Sequence, residues 1–536
     1  MHSRTSVLVV GGGLNGLTAA ALLAHHDVPC VLVERHADTS IQYKFAGISP
    51  RSMEIFRSLG LEEEIRANRT GDQQGGGLAR GRNLADPDIQ WAGPAWPDAS
   101  GMSPTQPATC DQHVLEPILR NFAARQGADV RFNTELADLE QDARGVSARL
   151  LDRGTGKIVA VRADYAIIAD GANGRLRERL GIGRRGAGTL QHWMNIVFDT
   201  DLPPTLGGKR FTSCFVTNLN GTFTPRDGGR WLLALQYFPE KGERRDMFDE
   251  RYCRELVARG AGRADIRAKL VDARSWEVAS YVADRFRAGR CFLAGDCAHV
   301  MPPTGAFGGN SGIHDVHNLV WKLAIVLRGQ AQPGLLDSYD SERRPVIEAT
   351  AAQALARLQK WFKDPAGRLP PPADIVADYD VVFGQRYPVA PGNDEARKAD
   401  GAFEPAAGLT ARVGTRAPHL WVEHSGKKVS TLDLFDREFV LLADDDNWKR
   451  AAEPARRNLA APLSCHFFGP HGDLRDIEMH WPSAYGICDG GAVLVRPDGF
   501  IAWRSPRGEH GDEQKLIAVF EQLGLRPTQQ GARPSG

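Results

Sequence analysis

The sequence predicts an α/β fold: a Rossmann-like parallel-sheet unit interleaved with an antiparallel sheet, followed by an appended C-terminal domain. Three observations carry this. Residues 6–34 run strand, glycine-rich turn, helix, strand, which is one βαβ unit. Residues 183–287 alternate apolar with polar side chains and are rich in aromatic and β-branched types, the pattern of antiparallel strands. A stretch rich in Pro, Ala and Gly over 364–415, including Pro370-Pro371-Pro372, then separates a last block of short strands and helices.

In chain order, Ser6–Val10 is a Val/Leu run of the kind buried on both faces of a parallel sheet. Leu17–His25 is Ala- and Leu-rich and helical, and Pro29–Glu34 is a second apolar strand that ends on an acid. Arg69–Gln106 is Gly- and Pro-rich and irregular. Leu115, Leu119 and Phe122 mark a helix over 112–126, and Tyr165–Ala169 is a strand ending at Asp170-Gly171. His192–Thr200, Phe211–Asn218 and Arg230–Phe238 are the alternating strands. Cys291–Ala294 returns to a buried strand, and a helix from Ile313 places Val316, Val320, Leu323 and Leu327 on one face. Asp315, Lys322 and Arg328 keep that helix from being a membrane span. In the last block, Val493–Val495 and Phe500–Trp503 flank Pro497-Asp498-Gly499, a hairpin signal.

At roughly 150 residues per domain, 536 residues suggest about three to four domains. The boundaries read 1–70, 107–182 and 288–363 for the parallel unit, 71–106 and 183–287 for the antiparallel unit, 364–415 for the linker and 416–536 for the last domain. Sixty-six Lys and Arg balance 66 Asp and Glu, so no basic field is available for phosphate neutralisation. The charge balance also argues against a polybasic membrane tether. These readings exclude nucleic acid and membrane as partners and leave a small molecule. The eight cysteines form no CxxC pair, which argues against a zinc site, a redox dithiol and a disulfide scaffold. The N-terminus lacks a signal-peptide pattern, so the chain reads as cytoplasmic.

Three motifs carry chemistry. Gly11-x-Gly13-x-x-Gly16 lies between strand and helix, where glycines permit the tight turn and the close approach of a pyrophosphate to the helix N-terminus. Glu34 stands 21 residues after Gly13, where an acid can hold ribose hydroxyls. Asp170-Gly171 follows another strand, with Arg177 seven residues beyond Asp170. Gly295-Asp296 follows a third and leads into Pro302-Pro303-Thr304-Gly305-x-x-Gly308-Gly309-Asn310-x-Gly312. A carboxylate there can accept hydrogen bonds from a polyol, and the glycine-rich run can turn N–H groups toward an electron-rich ring edge. Gly75-Gly76-Gly77 follows no apolar strand and reads as a flexible loop, so one dinucleotide fingerprint is present. His314 and His317 are three apart on a helix, but no third ligand is recognisable; they and His299 read as core or helix-surface histidines, and no metal is assigned.

Taken in this order, the motifs resemble those of the FAD-dependent aromatic hydroxylases (group A flavoprotein monooxygenases of the para-hydroxybenzoate hydroxylase fold) over residues 5–350. The length, Gly181–Leu190 and the block from Ala417-Pro418 to Trp503 resemble the phenol and polyketide hydroxylase branch, whose last domain is thioredoxin-like. The resemblance implies FAD as bound cofactor, with NAD(P)H and O2 as co-substrates. By motif position, Gly11, Gly13, Leu14, Asn15 and Gly16 would hold the pyrophosphate. Glu34 would hold the adenosine ribose, with Arg35 and Lys44 close by. Gln112 would meet the flavin side, and Asp296 the ribityl chain. Gly308, Gly309 and Asn310 would lie along the pyrimidine edge. Two departures stand out: Gly174 replaces the family's usual Ser after DG, and Tyr43-Lys44-Phe45 replaces a Pro-Arg-Ala triplet, losing the planar guanidinium fork.

The implied reaction is hydroxylation of a phenolic, polyketide-like aromatic through a flavin C4a-hydroperoxide, with the protein supplying orientation and water exclusion. The alternatives are Baeyer–Villiger oxidation or epoxidation on the same fold, or a flavin-binding redox protein that does not use oxygen. Tyr237, Pro303 and Phe307 are the candidate substrate-pocket residues; no catalytic base is identifiable. The sequence does not separate a monomer from a homodimer.

Overall fold

A computed structural model of the chain describes residues 3–70, 76–94, 96–361, 373–388, 401–469, 472–506 and 513–527. One sheet has five parallel strands in the order Cys291–Leu293, Ile158–Ile168, Ser3–Val10, Cys30–Val33, Asp129–Arg131. Val7, Leu8 and Val9 are fully buried, because helices cover both faces of this sheet and leave no solvated side for polar residues. The hairpin Thr134–Asp142/Gly145–Asp152 and the short strand Arg287–Ala288 join it antiparallel. The first helix spans Leu14–His25.

A second, nine-stranded sheet runs His299–Val300, Lys269–Ala283, Arg184–Asp199, Arg230–Tyr237, Gly221–Pro225, Lys209–Val216, Gly77–Gly81, Gln90–Pro94, with Thr205–Leu206 alongside. The strands from 77 to 94 therefore belong to this sheet, although the Gly- and Pro-rich sequence there reads as irregular; Gly77 opens a strand, and 71–75 lie outside the described residues. The two faces differ. Trp231, Leu233, Leu235 and Tyr237 pack with Cys253, Leu256 and Val257 of the helix Glu250–Ala261. Trp193, Ala234, Trp276 and Val278 pack with Leu355 and Leu358 of the helix Ser338–Trp361.

The helix predicted from Ile313 begins at Phe307, six residues earlier, and runs to Leu327. Its glycines carry the backbone through a crowded place instead of forming a loop: a Cβ on Gly309 would stand 2.5 Å from the Phe45 ring. The stretch read as a linker also differs. Residues 364–372 and 389–400 lie outside the described residues, but Asp378–Phe383 is a helix that buries Tyr379, Val381, Val382 and Phe383 against the first core. That apolar run outweighs the surrounding Pro, Ala and Gly.

In the last block, Phe439–Ala443 pairs parallel with Leu463–Phe467 and antiparallel with Ala492–Val495, which continues to Ile501–Ser505. Helices Asp446–Asn458 and Glu513–Gln522 pack on this sheet, and Trp321 and Ile325 of Phe307–Leu327 complete their core. A buried ionic seam binds the block to the rest. Arg416 and Arg51 both grip Glu54, the Arg51 guanidinium donates to the Asp498 carbonyl at 2.7 Å, and Arg496 spans Glu342 and Asp498. Lys322 donates to the same Glu342 carboxylate at 2.8 Å. Among the described residues, no helix is long and apolar enough to cross a membrane.

Candidate active site

The first and third motifs meet at Asn15. A Cβ on Gly295 would lie 2.0 Å from its Nδ2, and one on Gly312 would lie 2.2 Å from the same atom. Both positions are therefore restricted to glycine by a side chain distant in sequence, and Gly295 also has φ +66°, where glycine is favoured. Gly16 closes the helix onto the strand, since a Cβ would meet the Gly11 carbonyl at 1.9 Å. Gly13, in contrast, would meet only Glu116 at 3.7 Å, so the N-terminus of Leu14–His25 is open. No acid lies in that helix's first turn and no side chain caps it, which leaves its N–H groups and positive end available to an anion.

Around this opening stand three carboxyls raised above their ordinary range. Burial pushes up Glu116, against hydrogen bonds from Gln112 (2.5 Å) and the Ser40 N–H (2.8 Å). Burial pushes up Asp170, against the Leu176 N–H at 3.2 Å and the charges of Arg35 and Arg177. Burial pushes up Asp296, against the charges of His299 and Lys44. Asp296 nonetheless has exposed surface. Protein surrounds it, yet its surface is open to solvent, as expected at the floor of a cleft.

Two buried acceptors, Asn15 Oδ1 and Asp170 Oδ1, have no partner. An unsatisfied buried acceptor costs about 1–3 kcal/mol, so the fold holds hydrogen-bonding capacity in reserve here. A polyol-bearing dinucleotide fits this donor and acceptor set. Glu34, at the end of the second parallel strand, accepts from the Gly12 N–H at 2.7 Å and the His36 N–H at 2.8 Å.

Several predicted residues do other work. Asn310 accepts from the Ser49 N–H at 2.9 Å and donates to the Gly47 and Ala306 carbonyls at 2.9 and 2.7 Å. Its side chain is spent on holding the loop, and only its backbone remains for a ligand. Gly174 is pressed against Asp170, whose carboxyl carbon would lie 2.1 Å from a Cβ there; the departure from Ser is the absence of room beside that carboxylate. Arg177 is buried and donates to the Ile182 carbonyl at 2.5 Å. Phe307 is buried under the Arg357 guanidinium, 5.1 Å from its ring centroid, while Pro303 is exposed. The Thr304 hydroxyl donates to the Ala354 carbonyl at 2.5 Å, which sets this loop on the same helix as Leu355 and Leu358. The loop thus lies on the Trp193/Trp276 side of the large sheet. Tyr237 lies on the other side, against Phe248 at 5.6 Å, so the structure does not bring it to Pro303 and Phe307.

Sequence reasoning missed the support behind Asp296. Asp315 is fully buried and receives His299 Nε2 at 2.6 Å, Arg343 Nε at 2.9 Å and the Gly295 N–H at 3.2 Å. Burial alone would raise its carboxyl, but His299 and Arg343 hold it down to about 2. His314 lies by the Ser52 hydroxyl at 3.2 Å. Tyr43 was also unassigned; it packs edge-on to His113 at 5.0 Å and under Arg226 at 5.5 Å, joining the two sheets' loops beside Lys44.

Two families match the chain: "FAD binding domain" over residues 4–354 and "Aromatic-ring hydroxylase, C-terminal" over residues 410–525. A putative polyketide hydroxylase of Streptomyces halstedii is 39% identical over 523 residues, 94% of this chain and 93% of the relative. A tetracenomycin B2 monooxygenase-dioxygenase of Streptomyces olivaceus is 39% identical over 544 residues, 96% and 98%. The crystal structure of aklavinone-11 hydroxylase with FAD and aklavinone superposes with a TM-score of 0.89 at 34% identity, covering 98% of this chain and 100% of that one.

Proposed function

Since the chain belongs to the FAD-dependent aromatic-ring hydroxylases, we propose that it hydroxylates a phenolic, polyketide-like aromatic held between the glycine-rich cleft and the Trp193/Trp276 face of the large sheet. It is an FAD-dependent monooxygenase with NAD(P)H and O2 as co-substrates. The observation that carries the site is the meeting of Gly295, Gly312 and Asn15 beside two unpartnered buried acceptors.

On this reading Gly11, Gly13, Leu14, Asn15 and Gly16 hold the pyrophosphate, and Glu34 holds the ribose with Arg35 near. Gln112 and Lys44 flank the flavin side, Asp296 takes the ribityl hydroxyls, and Gly308, Gly309 and the Asn310 backbone border the ring. Bound FAD supplies the redox chemistry that draws electrons from NAD(P)H and activates O2. The chain orients and dries the reaction. Asp315 fixes the Gly295 N–H and His299, and so the loop bearing Asp296; Phe307 and Pro303 form the cleft wall; the half-buried Ala234 and Trp276, with Trp193 packed behind them, supply apolar surface for a planar ring system. Residues 1–70, 107–182 and 288–363 form the cofactor domain, and 71–106 with 183–287 the substrate domain. The parallel-then-antiparallel sheet of 416–536, flanked by two helices, supports a thioredoxin-like reading. Cys465 and Cys488 are free and 23 residues apart, so it carries no dithiol.

The test is anaerobic reduction by NADPH with and without candidate phenols, followed by oxygen and product mass. Gain of one oxygen atom on an intact ring supports hydroxylation. A ring-expanded lactone shows Baeyer–Villiger chemistry instead, and absence of oxygenated product with every phenol overturns the reading.

A further inference from the structure

The last block brings together two imidazoles and a carboxylate that share no residue with the cleft. His424 ends the strand Trp421–His424, His466 lies in Leu463–Phe467, and Asp473 precedes Leu474–Asp476. Pairing of Leu474 with His424, and of Leu474 with Phe468, draws the three together from segments up to 49 residues apart. His466 Nδ1 stands 2.6 Å from Asp473 Oδ2, and His424 Nε2 stands 3.6 Å from the same oxygen. The two rings meet edge to face at 5.2 Å. The Phe467 N–H donates to Asp473 Oδ1 at 2.7 Å and turns Oδ2 toward both imidazoles. Among the described residues no Lys or Arg pairs with Asp473, and the neighbouring Arg475 is engaged by Glu423.

We propose that His424, His466 and Asp473 form a binding site for a divalent transition-metal ion of the zinc class. The three ligand atoms lie within 4.8 Å of one another. Adjacent ligands around tetrahedral zinc are about 3.4 Å apart, so the observed separations straddle the required one and small side-chain movements close the site. Two imidazoles select against calcium and magnesium, which prefer oxygen ligands. The Phe467 N–H is the kind of outer partner that orients a ligating carboxylate. Half-open side chains, 32%, 17% and 41% exposed for His424, His466 and Asp473, leave an entry path and a fourth position for water.

The experiment is calorimetric titration of the FAD-loaded, full-length protein with Zn2+ after chelator treatment. One saturable site per chain is expected, weakened at least about tenfold in His424→Ala, His466→Ala and Asp473→Asn. Melting of each variant without zinc reports its fold. Asp473→Asn keeps the acceptor for the Phe467 N–H and replaces only the ligating Oδ2 and its charge. Absence of a saturable site in the unmodified protein overturns the proposal, as does unchanged binding in both histidine variants.

Discussion

Asn15 is a small side chain on which two distant glycines depend. Ala at position 312 would gain about 1 kcal/mol of helix propensity, but its Cβ would fall 2.2 Å from Asn15 Nδ2. The contact wins, because Asn15 is hemmed in from Gly295 as well. Gly312→Ala is therefore expected to bind FAD at least about tenfold more weakly, read as a fall in flavin-to-protein absorbance after gel filtration. Asp296→Ala should lose FAD more severely, checked in the same way; full retention would contradict its place at the cleft floor. The glycines themselves were legible, since spacing after a strand is a local signal. Their reasons were not. Asn15 stands 280 residues from Gly295, and Asp315 read only as a charge unsuited to a membrane, whereas it is fully buried behind Asp296.

At the scale of elements, the antiparallel strands were legible from their period of two, which puts Trp231, Leu233 and Leu235 on one face and Leu232, Ala234 and Gln236 on the other. Which set faces the cleft was not legible, because both faces are covered, one by Glu250–Ala261 and the other by Ser338–Trp361. Tyr237 was misplaced for that reason. The two faces predict different phenotypes. Trp276→Ala removes part of the cleft-side surface and an Nε1–H bond to Asn195 (2.8 Å); KM for the aromatic substrate should rise while the melting temperature changes little. Leu233→Ala, on the face covered by Glu250–Ala261, should cost about 2–5 kcal/mol of stability with KM preserved. Steady-state kinetics beside thermal melting distinguishes them. The helix start at Phe307 was missed because Gly308, Gly309 and Gly312 lower helix propensity, and only close packing on Phe45 and Asn15 explains them.

At the scale of the molecule, charges that would ordinarily be solvated lie between the last block and the rest. Arg496→Met leaves Glu342 with Lys322 and the Asn318 amide and strips Asp498 of its guanidinium, and should destabilise by about 3–5 kcal/mol, seen as a lower denaturant midpoint. Acid should act in two stages. Burial holds His26 down to about 4, His317 to about 3 and His419 to about 4. The unfolded chain therefore takes up protons first as pH falls below about 6.5, and a displacement like that of His26 is worth about 3 kcal/mol. Below about 4.5, Glu342 and Asp315, each held near 2, add their loss. Urea midpoints should therefore fall between about pH 6.5 and pH 4, and more steeply below; a flat profile across the histidine range would show those rings are not buried neutral. The seam also sets a timetable for the ribosome. Arg51 and Glu54 are made early, but Arg416 and the Asp498 carbonyl that complete their burial emerge only after three quarters and more than nine tenths of the chain. The amino-terminal region must wait for these partners, so a nascent chain that has not yet reached Asp498 carries charges whose burial is incomplete.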